Sequence, residues 1–416
     1  MAELSGSLFP ITLPDVGAQF NTDSAGTTRY FSLNTESAVQ FFEAISVMQR
    51  DVQANTLGLY SHIPVGRNLK ARFASLSTPA HLFSVRKNGC AWNPKGGIRT
   101  KLVEYLTEAI EYQGEQCPDG LYETCLERIF GTGNDVRDLM ATPEGRQLFS
   151  QIVNRIYIGL GNSFSELVHF AQHPIITQLN SSALYAAPPD RWADYYDQQM
   201  SGAATTAGLI TQLDELRAQG FQGHDVALPS TDFNADGEYT GDIVQLLNRL
   251  QDAARYDFRQ WINYGMMGAG GSRIFPIIKL TDKLYRAYEN YLLATFPQLP
   301  EMYQYRLTLS DGTSMLMPGI LKFNNMPVTR WDEVGWFDNT TGVVSHRAAI
   351  FAPGVLGISH DVDQLEQFRG MGLRLVQRLD APWQGKIFMD TTLRWGAGIG
   401  DIDFITQASR ILVPNA

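Results

Sequence analysis

The sequence predicts an α+β protein whose sheets combine strands from distant parts of the chain. Helical periods dominate the middle, as in "GIRTKLVEYLTEAIEYQ", where apolar residues recur at spacings of three and four. The last quarter consists of short strand-like pieces separated by Gly, Asn and Asp turns, such as "KFNNMPVTR", "HRAAIFAP" and "FITQASRILVP". Between these regions, helical and strand patterns alternate.

Two extended regions precede the helices. The first 35 or so residues are rich in Ser, Thr, Gly and Pro, which predicts an arm that lies along another surface. A helical period interrupts this arm in "TESAVQFFEAISVMQRDV". Residues 58–97 consist of short apolar pieces broken by prolines and glycines, with a local excess of basic residues. Because compact domains seldom contain so long a connection, we expect a projecting hairpin or loop here.

The elements after the projecting region follow from their periodicity. Helices are predicted through residues 98–172, in "GIRTKLVEYLTEAIEYQ", "LYETCLERIF" and "EGRQLFSQIVNRIYIGLGNSFSELVHFAQ". Further helices are predicted in "GLITQLDELRAQG", "TGDIVQLLNRLQDAARYDFRQWI" and "TDKLYRAYENYLL", and a short buried strand in "RIFPIIKL".

Composition limits the class of function. A net charge of −10 on 416 residues argues against a protein that coats nucleic acid through a basic face, so any DNA contact is expected to be local and weak. The start does not resemble a secretory signal, and no apolar run reaches the roughly 20 residues that span a bilayer. We therefore expect a soluble chain made in a cytoplasm. Three cysteines without a C-x-x-C pair indicate neither a disulfide framework nor a zinc module.

The stretch "STDFNADGEYTGDI" resembles the start of a calcium-binding loop. Asp232, Asn234 and Asp236 occupy its first three side-chain ligand positions. Position 12, where a Glu should close the cage, is Ile243, and Pro229 stands where an entering helix should run. We expect Asx-type turns here and a helix capped by Thr240, with these three residues only a weak metal candidate.

No other motif predicts catalysis or a cofactor. His169 and His173 stand four apart, but no Glu follows His169 and Pro174 ends the helix, so two surface histidines are favoured over a zinc pair. The glycine-rich "GMMGAGGSRIF" fits no phosphate-binding pattern and is interpreted as a flexible connection. Carboxylates are scattered without one acid–base pair. The sequence therefore predicts no enzyme, cofactor or metal.

The order of elements resembles the major capsid protein of tailed double-stranded DNA bacteriophages, the coat fold named after phage Hong Kong 97. The most specific similarity lies in "MPGILKFNNMPVTRWDEVGWFDNTTGVVSHRAAIFAPGVLGISHD", where a strand and turn lead to an x-Pro-Val strand, an acidic loop, His-Arg-Ala and an apolar strand. The matching positions are Pro327, Val328, Asp332, Glu333, His346, Arg347, Ala348, Gly357 and Asp361, preceded by Asp311, Gly312 and Thr313.

The resemblance implies four regions. Residues 1–57 would form the N-terminal arm and 58–95 the extended loop, both lying on a neighbouring subunit. Residues 96–175 and 345–416 would form the peripheral domain, with "GIRTKLVEYLTEAIEYQ" as its long spine helix. Residues 176–344 would form the axial domain, pointing at the centre of a hexamer or pentamer.

The resemblance also implies function and partners. The chain would assemble with itself into the icosahedral head of a virion in the host cytoplasm, without catalysis. Because the sequence starts at Met1 with a short arm, scaffolding is expected to be a separate protein; portal and decoration proteins are further expected partners. Arg67, Lys70 and Arg72 are predicted to contact acidic residues of a neighbouring subunit, with a solvated face as the alternative. An intracellular metal-assisted enzyme, or a portal or decoration subunit, remains the alternative function.

Overall fold

A computed structural model provides the coordinates of the protein. It describes residues 20–22, 28–31, 57–64, 70–77, 99–116, 159, 164–165, 167–173, 206–219, 225–234, 237–267, 273–297, 304–308, 314–334, 344–360, 374–378 and 387–412. Statements about structure below concern these residues.

Strands precede helices along the described chain. The first strands are β1 (Phe20–Thr22), β2 (Thr28–Phe31), β3 (Tyr60–Pro64), β4 (Lys70–Ser77), β5 (Arg99–Leu106) and β6 (Glu108–Gln116). The central elements are α1 (Leu209–Ala218), α2 (Ile243–Asp252), α3 (Tyr256–Tyr264), β7 (Met266–Met267), β8 (Arg273–Ile274), β9 (Ile277–Leu280) and α4 (Asp282–Thr295). The last are β10 (Gln304–Thr308), β11 (Ser314–Phe323), β12 (Met326–Arg330), β13 (Val344–Phe351), β14 (Leu356–His360), β15 (Arg374–Arg378), β16 (Ile387–Ile399) and β17 (Ile405–Leu412). The predicted α+β class is confirmed.

The first sheet is organised around β16. Its strand order is β1-β2-β15-β16-β14-β3, and β6 also pairs with β16. At residues 387–390 β16 has β15 on one side and β6 on the other, whereas residues 395–399 pair with β14. The sheet therefore combines the N-terminal strands β1 to β3 with strands from the last fifth of the chain.

The second sheet is buried at its centre. Its order is β10-β11-β12-β9-β13-β17. All four residues of β9 are buried, and residues 345–351 of β13 are buried as well. Such continuous burial requires cover on both faces, and it includes the polar side chains of Lys279, His346 and Arg347. The parallel pair β9 and β12 is connected through α4, which packs against both strands.

The two sheets are interleaved in sequence. Strands β13 and β17 pair along eight positions in the second sheet, whereas β14, β15 and β16, which lie between them in the chain, belong to the first. The predicted division between residues 344 and 345 therefore does not coincide with a division between sheets.

The prediction of a spine helix in "GIRTKLVEYLTEAIEYQ", residues 97–113, is wrong. Residues 99–106 and 108–116 form β5 and β6, two strands separated only by the buried Thr107. Strand β4 supplies hydrogen-bonding partners along all eight residues of β5, and β16 does so along β6. Pairing with neighbouring strands therefore overrides the helical spacing of the apolar residues. This spacing is only a weak preference for a helix where another strand can pair with the segment.

Several other expectations are met in the described residues. The helices predicted in "GLITQLDELRAQG" and "TDKLYRAYENYLL" correspond to α1 and α4, and "RIFPIIKL" contains the buried β9. The arm, which was predicted to lie on a neighbouring subunit, contributes β1 and β2 to the first sheet: β1 pairs with β2, and β2 pairs with β15 of the same chain. The helix expected in "TESAVQFFEAISVMQRDV" and the one in "LYETCLERIF" lie outside the described residues.

The hairpin between β11 and β12 turns on two asparagines. Phe323 faces Met326 across the ladder, so Asn324 and Asn325 alone form the turn, with φ of 47° and 69°. Positive φ at both central residues defines the turn whose twist matches that of paired strands, and asparagine tolerates this conformation better than most residues.

This turn leads to a stability prediction. Asn325→Gly should leave the free energy of unfolding unchanged or raise it slightly, because glycine adopts positive φ without steric cost. Asn325→Val should lower it by about 1–2 kcal/mol, because a β-branched residue is strained there. Both are measured by urea unfolding. Asn325 is exposed, so loss of buried contacts does not contribute; equal stability of the two variants would contradict the assigned turn.

Candidate assembly site

A two-stranded ribbon stands apart from both main sheets. Strands β4 and β5 form a separate sheet and pair over their full length, from Lys70 opposite Leu106 to Ser77 opposite Arg99. The residues that connect them, 78–98, lie outside the described part. The projecting hairpin was predicted for residues 58–97; β4 lies in that range, but its partner β5 lies outside it, and β3 belongs to the first sheet.

One face of this ribbon exposes apolar side chains. Leu102 and Leu106 are each 54% exposed, and Glu104 between them is exposed as well. Successive residues of a strand point to opposite faces, so these three share one face. A pair of apolar side chains on an outward face of a two-stranded ribbon is typical of a surface that contacts a partner.

The predicted contact residues occupy different places. Lys70 and Arg72 lie in β4, where the register pairs them with Leu106 and Glu104 of β5. Arg67 lies outside the described residues.

A second exposed apolar surface lies at the C-terminal end of α3. Tyr264, Met266 and Ile274 are 61%, 53% and 41% exposed. Met266 pairs with Ile274 in the small hairpin of β7 and β8, and the indole nitrogen of Trp261 donates to the Ile274 carbonyl at 2.9 Å. The sequence prediction treated this region as a flexible connection, because two-residue strands leave no periodic signal.

The loop at residues 230–243 is held by its own backbone and side chains. The backbone N–H groups of Thr240 and Gly241 donate to the Asp232 carbonyl at 2.8 and 3.3 Å. Asn234 accepts the Glu238 N–H on its side-chain oxygen at 2.7 Å. This bond reaches four residues on, so it differs from the expected Asx-type turn, which closes two residues on. Ile243 is buried at 4% exposure and begins α2. The hydrogen bonds of the loop therefore stabilise a turn, and Ile243 at position 12 is a buried apolar residue and not a metal ligand.

Asp242, and not Thr240, caps α2. Its carboxylate accepts the N–H groups of Val244 and Gln245, both at 3.0 Å. The helix begins at Ile243, so Thr240 lies too far upstream to reach the first free N–H groups. Asp236 lies outside the described residues; among those described, no three His, Cys, Asp or Glu side chains are grouped to hold a metal.

The two histidines predicted to lie at the surface are buried. His169 and His173 are 1% and 3% exposed. Nδ1 of His169 donates to the Ser165 carbonyl at 2.8 Å, within a helical turn. Nε2 of His173 lies 3.0 Å from Oδ2 of Asp214 on α1. The prediction was wrong because the partner of His173 lies 41 residues away in sequence.

Asp214 is also the partner of a buried arginine. Nη1 and Nη2 of Arg347 donate to its two carboxylate oxygens at 2.8 and 2.7 Å, and Nε donates to Ser345 Oγ at 3.0 Å. Burial by itself would raise the pKa of Asp214, but the Arg347 guanidinium, assisted by His173, holds that pKa well below its usual range. Asp214 therefore stays ionised and neutralises a guanidinium that is only 2% exposed.

His346, next to this pair on β13, lacks hydrogen-bond partners among the described residues. It is fully buried, and its ring stacks on Phe233 with centroids 4.1 Å apart. Burial, together with the positive charges of Lys283 and Arg410, lowers the pKa of His346 to about 4. The imidazole is therefore neutral at pH 7.

Comparisons with known proteins give structural matches only. No family model and no curated protein matches the sequence. A chain of the satellite phage P4 procapsid is similar over 90% of this chain and 98% of its own, with 11% identity and a TM-score of 0.44. The capsid of Ralstonia phage GP4 is similar over 86% and 87%, with 8% identity and a TM-score of 0.42. The SrpI encapsulin of Synechococcus elongatus is similar over 88% and 89%, with 10% identity and a TM-score of 0.39.

Removing the charge of Asp214 should destabilise the protein strongly. Asp214→Asn leaves the Arg347 guanidinium buried without a counter-charge, so the free energy of unfolding should fall by about 3–5 kcal/mol. Asp282→Asn is the matched control, because its partner Arg286 is 63% exposed and such pairs contribute about 0.5 kcal/mol or less.

A double variant separates charge from packing in the same experiment. Arg347→Met combined with Asp214→Leu removes both charges and should recover most of the loss seen in Asp214→Asn. Chemical unfolding measures the free energy of unfolding of the wild type, Asp214→Asn, Asp282→Asn and the double variant. A fall in stability that is equal for Asp214→Asn and Asp282→Asn would contradict a structural role for the pair.

His346 gives a pH dependence with a defined sign. Its pKa is about 4 in the folded chain and about 6.5 when unfolded, so between these values the unfolded chain takes up a proton that the folded chain does not. Stability contributed by neutral His346 is complete above pH 6.5 and is lost as the pH falls toward 4. His346→Leu should therefore lose less stability between pH 7 and pH 4.5 than the wild type, measured by urea unfolding at each pH. Parallel profiles would contradict the assignment.

Proposed function

We propose that the chain is the major capsid protein of a tailed bacteriophage, with the coat fold named after phage Hong Kong 97. Copies of it assemble into the hexamers and pentamers of an icosahedral head that encloses double-stranded DNA. Its role is structural, without catalysis or a cofactor. The support comes from the sequence pattern described above and from the geometry of the ribbon β4–β5.

The ribbon is the observation that carries the proposal. An isolated two-stranded ribbon is at best marginally stable in water, and this one leaves Leu102 and Leu106 exposed on its outer face. The rest of the described chain has a buried core of its own, so these leucines are not needed to complete it. A second copy of the chain that covers this face would remove both leucines from water.

Charge supports a second copy as the partner. The chain carries a net charge of −10, while Arg67, Lys70 and Arg72 form a local excess of basic residues just before and within β4. A basic segment and an acidic surface on identical subunits attract each other and favour a defined register of contact. Arg67, Lys70 and Arg72 are thus proposed as intersubunit contacts, with the exposed Leu102 and Leu106 of β5 as the apolar part of the same contact.

The remaining assignments extend this proposal. Residues 1–57 would form the N-terminal arm, 58–95 the extended loop, 96–175 with 345–416 the peripheral domain, and 176–344 the axial domain. Assembly would take place in the host cytoplasm with a separate scaffolding protein, a portal and decoration proteins, and packaged DNA would be contacted weakly. No helix in the described residues is long and apolar enough to cross a membrane.

Electron microscopy of the expressed, purified chain tests the proposal. Shells, tubes or capsomers are expected, with light scattering of the eluted species to establish their mass. A uniform compact monomer from micromolar concentration to the highest reached would overturn it, and would favour the alternative of an intracellular enzyme. Addition of calcium or a chelator in the same samples distinguishes a metal-dependent protein, because the proposal expects no effect of either.

Charge reversal tests the ribbon contact. Replacing Arg67, Lys70 and Arg72 together by Glu should reduce the yield of shells while leaving the circular dichroism spectrum unchanged, because these residues lie in and beside a ribbon outside the main core. Each exposed pair contributes only about 0.2–1 kcal/mol, but the contact is repeated at every subunit, so the triple change should be visible.

A charge-matched control accompanies this variant. Arg273, Arg286 and Arg306 are exposed and lie away from the ribbon, so their triple replacement by Glu changes the net charge equally. The ribbon variant should assemble worse than this control, and the difference should shrink as salt is raised. Normal shells from a folded ribbon variant would reject the proposed contact.

A further inference from the structure

The base of the ribbon packs against three glycines of strands β14 and β16, which have no side chains. Gly357 of β14 and Gly398 of β16 are directly opposite each other in the first sheet, and Gly396 is opposite Ser359. Tyr105, near the end of β5, lies over Gly398 and Gly357, and Leu106 and Thr107 lie over Gly396. We call Gly357, Gly396 and Gly398 the glycine socket.

The socket has no room for a methyl group. A Cβ on Gly398 would lie 2.5 and 2.7 Å from the Tyr105 ring atoms Cδ1 and Cε1, and 3.1 Å from Cγ. A Cβ on Gly396 would lie 2.9 Å from Thr107 Cγ2 and 3.1 Å from the Leu106 carbonyl oxygen. Rotation of the ring about the Cβ–Cγ bond moves Cδ1 and Cε1 but leaves Cγ in place, so the Tyr105 side chain, or β5 with it, would have to shift away from Gly398.

Glycine is needed at these positions for close approach and not for backbone conformation. None of the three has φ in the left-handed region, where glycine is favoured for conformational reasons. Glycine in the interior of a strand lowers its stability and loses a side chain from packing, so its use here fits a site that another segment approaches closely.

Both sides of the contact are fixed by hydrogen bonds. On the socket side, the Gln212 side chain donates to the Ala397 carbonyl at 3.0 Å and accepts the Ile399 N–H at 3.2 Å, so an amide from α1 pairs with the free edge of β16. On the ribbon side, Thr206 Oγ1 donates to the Leu106 carbonyl at 3.0 Å. The ribbon is therefore held at its base.

We propose that the glycine socket sets the direction in which ribbon β4–β5 projects, so that these three glycines position the assembly contact without belonging to it. The consequence for shells rests on the proposed function, whereas the effect on ribbon direction does not. An eight-residue ribbon is about 26 Å long. If one strand shifts by about 1 Å at the base while its neighbour, about 5 Å away, stays in place, the ribbon rotates and its tip moves by about 5 Å. A small obstruction in the socket is thus amplified where a partner would be met.

The test measures ribbon direction in the unassembled full-length chain. Spin labels attached through non-natural amino acids at the exposed positions Leu102 and Asp252 report the distance from ribbon to body by pulsed electron resonance. Gly398→Ala should shift the mean distance, with a circular dichroism spectrum equal to that of the wild type. Gly159→Ala is the matched control, because a Cβ there has no atom within 4 Å, and it should leave the distance unchanged.

A second pair of variants keeps the proposal falsifiable if Gly398→Ala folds poorly. Tyr105→Ala empties the socket and should broaden the distance distribution by itself. Combined with Gly398→Ala, Tyr105→Ala should also restore folding, because the ring that the new methyl group would contact is absent. Wild-type distances in both Gly398→Ala and Tyr105→Ala would overturn the proposal.

Shell assembly of the same variants gives the link to function. Gly398→Ala should reduce shell yield or change shell shape, whereas Gly159→Ala should not. If the wild type forms no shells but the distance shifts as expected, the capsid proposal fails and the socket stands. If shells form normally from a variant whose ribbon direction has changed, the socket does not position the assembly contact.

Discussion

The pairing of Arg347 with Asp214 determines where helix α1 must lie. A guanidinium 2% exposed on β13 requires a counter-charge, and Asp214 is the carboxylate that meets it with both oxygens. Once α1 is placed, its other side chains connect the remaining elements. Thr211 donates to the Ala171 carbonyl at 2.8 Å, and Arg217 to the Ser409 carbonyl on β17 at 2.8 Å.

The same helix links the two sheets. Gln212 bonds to β16 of the first sheet, two residues from the Asp214 that bonds to β13 of the second. Gly208, just before α1, allows the helix to begin against the turn after residue 170, where a Cβ would lie 2.5 Å from the His169 carbonyl. A ten-residue helix with an unremarkable apolar pattern thus joins three parts of the chain.

Prediction from sequence succeeded where the local pattern and the final environment agree. Helix α4 and strand β9 have strong periodic or apolar signals and are flanked by turn residues, so both could be predicted. It failed at residues 99–116, where Leu102 and Leu106 have helical spacing but lie on an exposed strand face. It also failed for His173, whose partner Asp214 no local pattern reveals. Of the candidate site, the role of the basic residues Arg67, Lys70 and Arg72 stays a prediction, whereas the leucine face and its glycine socket required the register of distant strands.

Interleaving of the two sheets has a consequence for synthesis of the chain. Strand β17 pairs with β13 along eight positions and forms one edge of the second sheet, and Gln407 in it donates to the Leu213 carbonyl of α1 at 3.1 Å. Residues 405–412 are translated after every other strand of both sheets. Until β17 emerges from the ribosome, the second sheet therefore lacks this edge strand and α1 lacks the hydrogen bond from Gln407. Long-range pairing of this kind forms slowly, so the complete fold of the subunit is delayed until translation has passed this strand.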